Sequence, residues 1–210
     1  MFRDSDSEFY QQAFHGFERE LTSEFCFTQK EALNSWRSAK PTSFFFGVIM
    51  DHLKLYEVDA DYISFLSSRM PLLFHNKKAE ETHNRKYIGI VLSVNGFNYF
   101  APLSSFKEKH LHMPDTIDFI KIGRRAVINL NCMLPVPVEK LFYVDINAVP
   151  DYKYRSLLQI EYRFIRKNQE RIRKNANEVY KQKKLHPETK LAKRCNDFTK
   201  LEKLITETTL

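Results

Sequence analysis

Residues 85–110 read RKYIGIVLSVNGFNYFAPLSSFKEKH, and this stretch decides the fold. Tyr87 to Val94 is rich in β-branched residues and alternates, which predicts a strand. Asn95-Gly96 comes next. A two-residue type I′ turn needs positive φ at both central positions, and this pair adopts it at least cost. Phe97 to Pro102 then returns as the partner strand. The hairpin leads into a polar, basic segment from Leu103 to His110 that contains Ser104, Ser105, Lys107, Lys109 and His110. Two hydroxyls, two ammoniums and an imidazole are more chemistry than a connection needs.

Upstream of the hairpin, Leu53 to Val58 alternates as a strand, and Asp59 is placed as a helix N-cap. Tyr62, Ile63, Phe65, Leu66 and Met70 fall on one helical stripe that Pro71 ends. His75 to Asn84 is polar and reads as a loop. Downstream, Phe119 to Ile122 and Ala126 to Leu130 are short strands around Gly123. Met133 to Val138 carries Pro135 and Pro137, so it is extended but confined to an edge or a connection. Leu141 to Ile146 is the last strand. Short strands joined by turns, with no helix between them, predict an α+β fold: a compact, twisted antiparallel sheet or open barrel flanked by helices.

From Pro150-Asp151 the period changes. Tyr154, Leu158, Tyr162, Ile165, Ile172, Ala176 and Val179 trace the apolar face of one long helix, stopped at His186-Pro187. Between Arg163 and Lys184 it carries nine basic side chains against Glu170 and Glu178. A final helix is predicted from about Thr189 to Ile205, with Leu191, Cys195, Phe198, Leu201 and Ile205 on one side.

The charge is unevenly placed. Residues 1–50 hold five basic and seven acidic side chains, whereas residues 51–210 hold 28 and 19. The positive part points to a polyanionic partner, nucleic acid before membrane. No run approaches the roughly 18 apolar residues of a membrane span, so no membrane partner is expected. The start, MFRDSDSEFY, has acids where a secretory signal has positive charge, and the expected compartment is the cytoplasm. Cys26, Cys132 and Cys195 are odd in number and widely spaced, which argues for inert thiols rather than disulfides or structural zinc.

Residues 1–49 differ from the rest: they hold nine of the eighteen phenylalanines and the only tryptophan. Gln29 to Ala39 fits a short helix. The folded domain is expected to span residues 50–210, with residues 1–49 an N-terminal extension, either disordered or belonging to a mis-called start.

A charge-rich helix face is by default a solvated one. The positive excess here favours phosphate contact instead, through Arg163, Arg166, Lys167, Arg171, Arg173 and Lys174. Tyr162, Phe164 and Tyr180 read as core aromatics ahead of base-stacking ones. Ser-Ser after a strand is often only turn chemistry. Yet the Ser104-Ser105-x-Lys107-x-x-His110 cluster also suits metal-free RNA cleavage, which needs a base for a 2′-hydroxyl, an acid for the 5′-oxygen and cations on the phosphorane. His110-x-His112 and His75…His83 lack a carboxylate at ligand spacing, so no metal site is expected. No P-loop, G-x-G-x-x-G or G-x-S-x-G is present, and no cofactor is expected.

Four stretches in this order, LYEVDADYISFL, KYIGIVLSVNGFNYFAPLSSFKEKH, AVINLNCMLPVP and YRFIRKN, resemble the ToxN/AbiQ family, the endoribonuclease toxins of type III toxin–antitoxin and abortive-infection systems. The resemblance runs from about Leu53 to Leu204. It implies a Kid/MazF-like twisted sheet flanked by helices. It also implies metal-independent cleavage of RNA, such as mRNA, often at adenine-rich sites, to a 2′,3′-cyclic phosphate and a 5′-hydroxyl. A small repeat RNA antitoxin, folded as a pseudoknot, would inhibit the toxin, and toxin and RNA would close into a cyclic hetero-oligomer.

Position by position, the resemblance puts the family's hydroxyl pair on Ser104 and Ser105, with Ser105 indispensable. The basic residue after it is Lys107, and Phe106 stands where the family more commonly has Pro. Arg85 is the basic residue before the first hairpin strand, and Tyr62 the aromatic of the first helix. His110 falls on a family histidine. Ser105 would position or help deprotonate the 2′-hydroxyl, with Lys107 and Arg85 neutralising the phosphorane and Tyr62 or His110 orienting or protonating the leaving group. The alternative reading is a non-catalytic RNA-binding regulatory protein.

Overall fold

The computed structural model describes residues 52–70 and 84–208. The expected boundary at Met50, the helix at Gln29–Ala39, Cys26 and all of the His75–Asn84 loop except Asn84 lie outside these residues.

The seven strands are β1 (Lys54–Val58), β2 (Tyr87–Val94), β3 (Phe97–Ser105), β4 (Phe119–Ile122), β5 (Ala126–Asn129), β6 (Leu134–Pro135) and β7 (Leu141–Tyr143). They form one antiparallel sheet in the order β4-β5-β3-β2-β1-β7, with β6 paired to β3 beside β5. Among the described residues the sheet is open, with β4 and β7 at its ends. The β2–β3 hairpin lies near its centre, and its turn has φ of 52° at Asn95 and 80° at Gly96, as a type I′ turn requires. One edge of β3 is shared: Tyr99 and Phe100 pair with β6, and Leu103, Ser104 and Ser105 pair with β5. β6 is only two residues long because Pro135 and Pro137 cannot donate to a ladder.

Five helices flank the sheet: α1 (Ala60–Arg69), α2 (Tyr152–Lys167), α3 (Gln169–Leu185), α4 (Lys190–Arg194) and α5 (Phe198–Thr208). The Asp59 side chain caps α1 by accepting from the Tyr62 N–H at 2.8 Å. The single long helix expected after Pro150 is two helices. At Asn168 the side-chain amide donates to the Phe164 carbonyl at 2.8 Å, and the backbone N–H is shared between the Phe164 and Ile165 carbonyls. An asparagine competing for its own helix's carbonyls in this way breaks the ladder. The expected last helix is also two. Asn196 is drawn out of helical geometry by its N–H, which donates to the Asn131 carbonyl at 2.9 Å, and by its side-chain amide, which donates to the Met133 carbonyl at 3.3 Å.

The core gathers Leu55, Tyr87 and Tyr99 from the sheet with Leu66 of α1, Ile172 and Val179 of α3 and Phe198 of α5. Tyr180 is buried there, stacked on Phe198 at an interplanar angle of 19°, so it is a core aromatic. Its hydroxyl and that of Tyr99 both donate to Glu202, at 2.6 and 2.8 Å, and tie α5 to α3 and to the sheet. Cys132 and Cys195 are free and buried, and burial pushes their thiols up, to about 12 and about 11. Among the described residues no helix is long and apolar enough to cross a membrane.

Candidate active site

Strands β2, β3 and β5 converge on a cleft of about 1070 Å³ that α2 also lines, through Tyr154, Leu158 and Glu161. β2 enters it with Arg85, and β3 leaves through it with Ser104 and Ser105, because the antiparallel hairpin sets the start of one strand beside the end of the other. Lys107 and His110 follow in the same lining. Five of the six residues singled out in sequence, Arg85, Ser104, Ser105, Lys107 and His110, therefore share one cavity.

Their roles separate by geometry. Arg85 Nη1 donates to Ser104 Oγ at 3.0 Å, and Asn129 Nδ2 donates to the same oxygen at 3.2 Å. Ser104 thus anchors the guanidinium at the mouth of β2. Ser105 is exposed, and no hydrogen bond of its hydroxyl occurs among the described residues. Its oxygen is available to an incoming group. The Phe106 N–H donates to the Arg125 carbonyl at 2.9 Å, which extends the β3–β5 ladder by one bond.

His110 is buried, and its Nδ1 accepts the Lys107 backbone N–H at 3.0 Å. Its ring meets the edges of Phe106 and Phe119, with centroids 5.4 and 5.3 Å away. Where Pro would stiffen the loop, packing of Phe106 on His110 does so. Burial, then the neighbouring Lys109, Lys107 and Lys121, hold the imidazole below its ordinary pKa, so it is neutral. With Nδ1 accepting, the proton of the neutral ring sits on Nε2.

Tyr62 stands apart. It does not line the cleft, and its hydroxyl donates to the Pro135 carbonyl at 2.7 Å. Burial, then Glu139, push its pKa upward. The helix cations stand apart too. None of Arg163, Arg166, Lys167, Arg171, Arg173 and Lys174 lines the cleft. Arg163 faces a separate recess of about 350 Å³ with Lys54 and Tyr143. Arg166 lies over the Tyr162 ring, and Arg171 reaches Asp115 at 3.7 Å, beside the cleft residues Pro114 and Thr116.

Several cleft residues were missed in sequence. Arg125, from the β4–β5 turn, adds positive charge to that of Lys109, which the sequence had already placed beside Lys107. Asp118 is buried and held by Arg194 through two contacts of 2.6 Å; burial alone would raise its carboxyl, but Arg194 and Thr116 outweigh that and keep it below the usual range. Glu161 of α2 is 5% exposed, and burial pushes its carboxyl up to about 7, against a smaller opposing effect of Arg125. A signal for it was present: Leu158, Glu161 and Ile165 keep helical spacing, so an acid sits on the buried stripe. With Asp118 neutralised by Arg194 and Lys86 paired to Glu57, the cations Lys107, Lys109 and Arg125 by themselves outnumber Glu161. The cleft is built to receive an anion.

Residues 54–206 match the family described as toxin ToxN of type III toxin–antitoxin systems. The chain belongs to the ToxN toxin family. Endoribonuclease ToxN of Bacillus thuringiensis subsp. kurstaki is 29% identical over 161 residues, covering 72% of this chain and 82% of that protein. Endoribonuclease AbiQ of Lactococcus lactis subsp. lactis is 27% identical over 180 residues, 77% of this chain and 92% of that one. Among solved structures, the toxin of a type III system selectively inhibited by a non-coding RNA pseudoknot superposes with a TM-score of 0.65. It is 27% identical and covers 75% of this chain and 98% of its own. A structure of AbiQ, a lactococcal anti-phage endoribonuclease, gives 0.64 at 24% identity, covers 75% and 98%, and shows the same fold. In this ToxN-family chain the matched span begins at β1, so it contains every strand and every residue of the cleft.

Proposed function

We propose that this chain is the endoribonuclease toxin of a type III toxin–antitoxin system acting in phage defence in the cytoplasm, and that it cuts RNA in the cleft between the hairpin and α2. The observation that carries the reading is the corner where Arg85 is hydrogen-bonded to Ser104 at 3.0 Å while Ser105 and Lys107 line the same cavity. A phosphodiester entering it meets a fixed guanidinium, an ammonium and a free hydroxyl. Arg85 and Lys107 stabilise the charge that builds on the phosphorane oxygens, so the step proceeds without a metal. Ser105 hydrogen-bonds the attacking 2′-hydroxyl. The O2′–P bond forms, the P–O5′ bond breaks, and the ends are a 2′,3′-cyclic phosphate and a 5′-hydroxyl. In this reading His110 and Tyr62 support the site. His110 holds the Lys107 loop, and Tyr62 braces α1 against β6.

The substrate is single-stranded RNA such as mRNA, with adenine-rich sites favoured. A repeat-derived pseudoknot RNA inhibits the toxin by filling the same cleft, and toxin and RNA close into a cyclic assembly. The helix cations, from Arg163 to Lys174, grip phosphates outside the cleft. Residues 1–49 form an extension dispensable for cleavage.

The test is incubation of pure protein with an adenine-rich RNA in EDTA, followed by analysis of the fragment ends. Cyclic-phosphate ends support the reading. RNA that is bound, with affinity falling steeply as salt rises, but left intact supports a non-catalytic RNA-binding protein instead.

A further inference from the structure

Cleavage of this kind must place a proton on the departing 5′-oxygen, and the cleft contains few groups able to give one. Asp118 is held ionised by Arg194. His110 is neutral, and its ring is enclosed by Phe106 and Phe119. Arg85 and Arg125 do not release protons. The Ser104 hydroxyl is tied to Arg85 and Asn129. Glu161 remains. Its side chain comes from α2 into the same lining as the two serines, is 5% exposed, and has no hydrogen bond or ion pair among the described residues.

Resting on the reading of the cleft as the place where RNA is cut, we infer that Glu161 is the general acid that protonates the 5′-oxygen as it leaves. The charged and titratable groups sharing its cavity are Arg125 from the β4–β5 turn, Arg85 and Lys86 just before β2, Lys107, Lys109 and His110 beyond β3, the Asp118–Arg194 pair, and Tyr154 on its own helix. Burial outweighs Arg125 and keeps a substantial share of the carboxyl protonated at neutral pH. A carboxyl held this way donates where an ordinary one is already ionised. In the step, the 2′-oxygen bonds to phosphorus and its proton passes to water in the open cleft. The P–O5′ pair leaves with the oxygen, which takes the Glu161 proton, and solvent water reprotonates the carboxylate. No further reactant is consumed.

The experiment compares wild type with Glu161→Gln on two RNAs that differ only at the scissile bond found for the wild type. One carries the normal 5′-oxygen and the other a 5′-bridging sulfur, whose thiolate leaves without a proton. On the oxygen substrate the variant is expected to be slower by roughly 10²–10⁴-fold. On the sulfur substrate the two proteins are expected to agree within about threefold, which also shows that the variant is folded. An equal loss on both substrates, or no loss on the oxygen substrate, overturns the assignment. A wild type that cuts no RNA, so that no scissile bond is found, overturns the cleavage reading itself, and the assignment with it.

Discussion

Replacing Glu161 by Gln should remove a pH dependence of stability as well as a proton donor. The folded protein raises this carboxyl from 4.5 to about 7, mainly by burial. Between those values the native chain keeps a proton that the unfolded chain has released, so stability falls as pH rises. Each unit of separation is worth about 1.4 kcal/mol, so the cost reaches about 3 kcal/mol once the pH passes the folded value. It is absent below the unfolded value. Between pH 5 and pH 8 the wild type loses about 2.5 kcal/mol from this residue, whereas glutamine, similar in shape and without a titration, loses nothing. Urea unfolding followed by circular dichroism at both pH values, on both proteins, isolates the effect, because every other titrating group is common to the pair. The variant's stability relative to wild type should rise by about 2.5 kcal/mol from pH 5 to pH 8. A relative stability that stays constant, or moves the other way, refutes the burial argument and removes the physical basis for Glu161 as a proton donor.

Ser105→Ala should abolish RNA cleavage at unchanged urea midpoint, since its hydroxyl has no partner to lose among the described residues, whereas Ser104→Ala removes an acceptor shared by Arg85 and Asn129 and should also cost about 1 kcal/mol. A Ser105→Ala protein that cuts at the wild-type rate contradicts the site. Arg194→Ala leaves the buried Asp118 carboxylate with Thr116 and a backbone N–H; because Arg194 itself is half exposed and water fills part of its place, the expected cost is about 3 kcal/mol, read by calorimetry. At Gly89 an added Cβ would lie 2.0 Å from the buried Phe100 ring, so Gly89→Ala should cost about 3 kcal/mol or more. Adding Phe100→Ala should recover part of that loss, a coupling that a double-mutant cycle measures. A chain starting at Met50 should keep the unfolding midpoint and the RNA cleavage of the full chain; its failure to fold would show that residues 1–49 belong to the domain.

Local chemistry made the hairpin and the α1 cap readable from the letters. Asn95-Gly96 is the cheapest way to hold two successive residues at positive φ, and Asp59 satisfies an N–H that no other group of its own helix reaches. The alternation of the short strands gave the antiparallel sheet, and one hairpin places Arg85 near Ser104 whatever surrounds it. The broken helices were hidden for a physical reason. Leu158, Ile165, Ile172 and Val179 keep an apolar period across Asn168, and a periodic pattern does not register one side chain competing for its own helix's carbonyls. Nor does it register Asn196 being drawn away by Asn131 and Met133, 65 and 63 positions earlier in the chain.

The amino-acid sequence alone determined the fold class, the hairpin and the serine–lysine corner, because each rests on groups within about twenty residues of one another. Tertiary structure alone decided which cations face the cleft. The sequence concentrates them on the helices, but the cavity draws Arg85, Lys107 and Arg125 from strand ends and turns. It alone also decided that Tyr62 turns to Pro135, that His110 is enclosed and neutral, and that Glu161 is buried in the lining it shares with Ser105. Burial and charge at a point are sums over every element that packs there, and no single segment carries that sum.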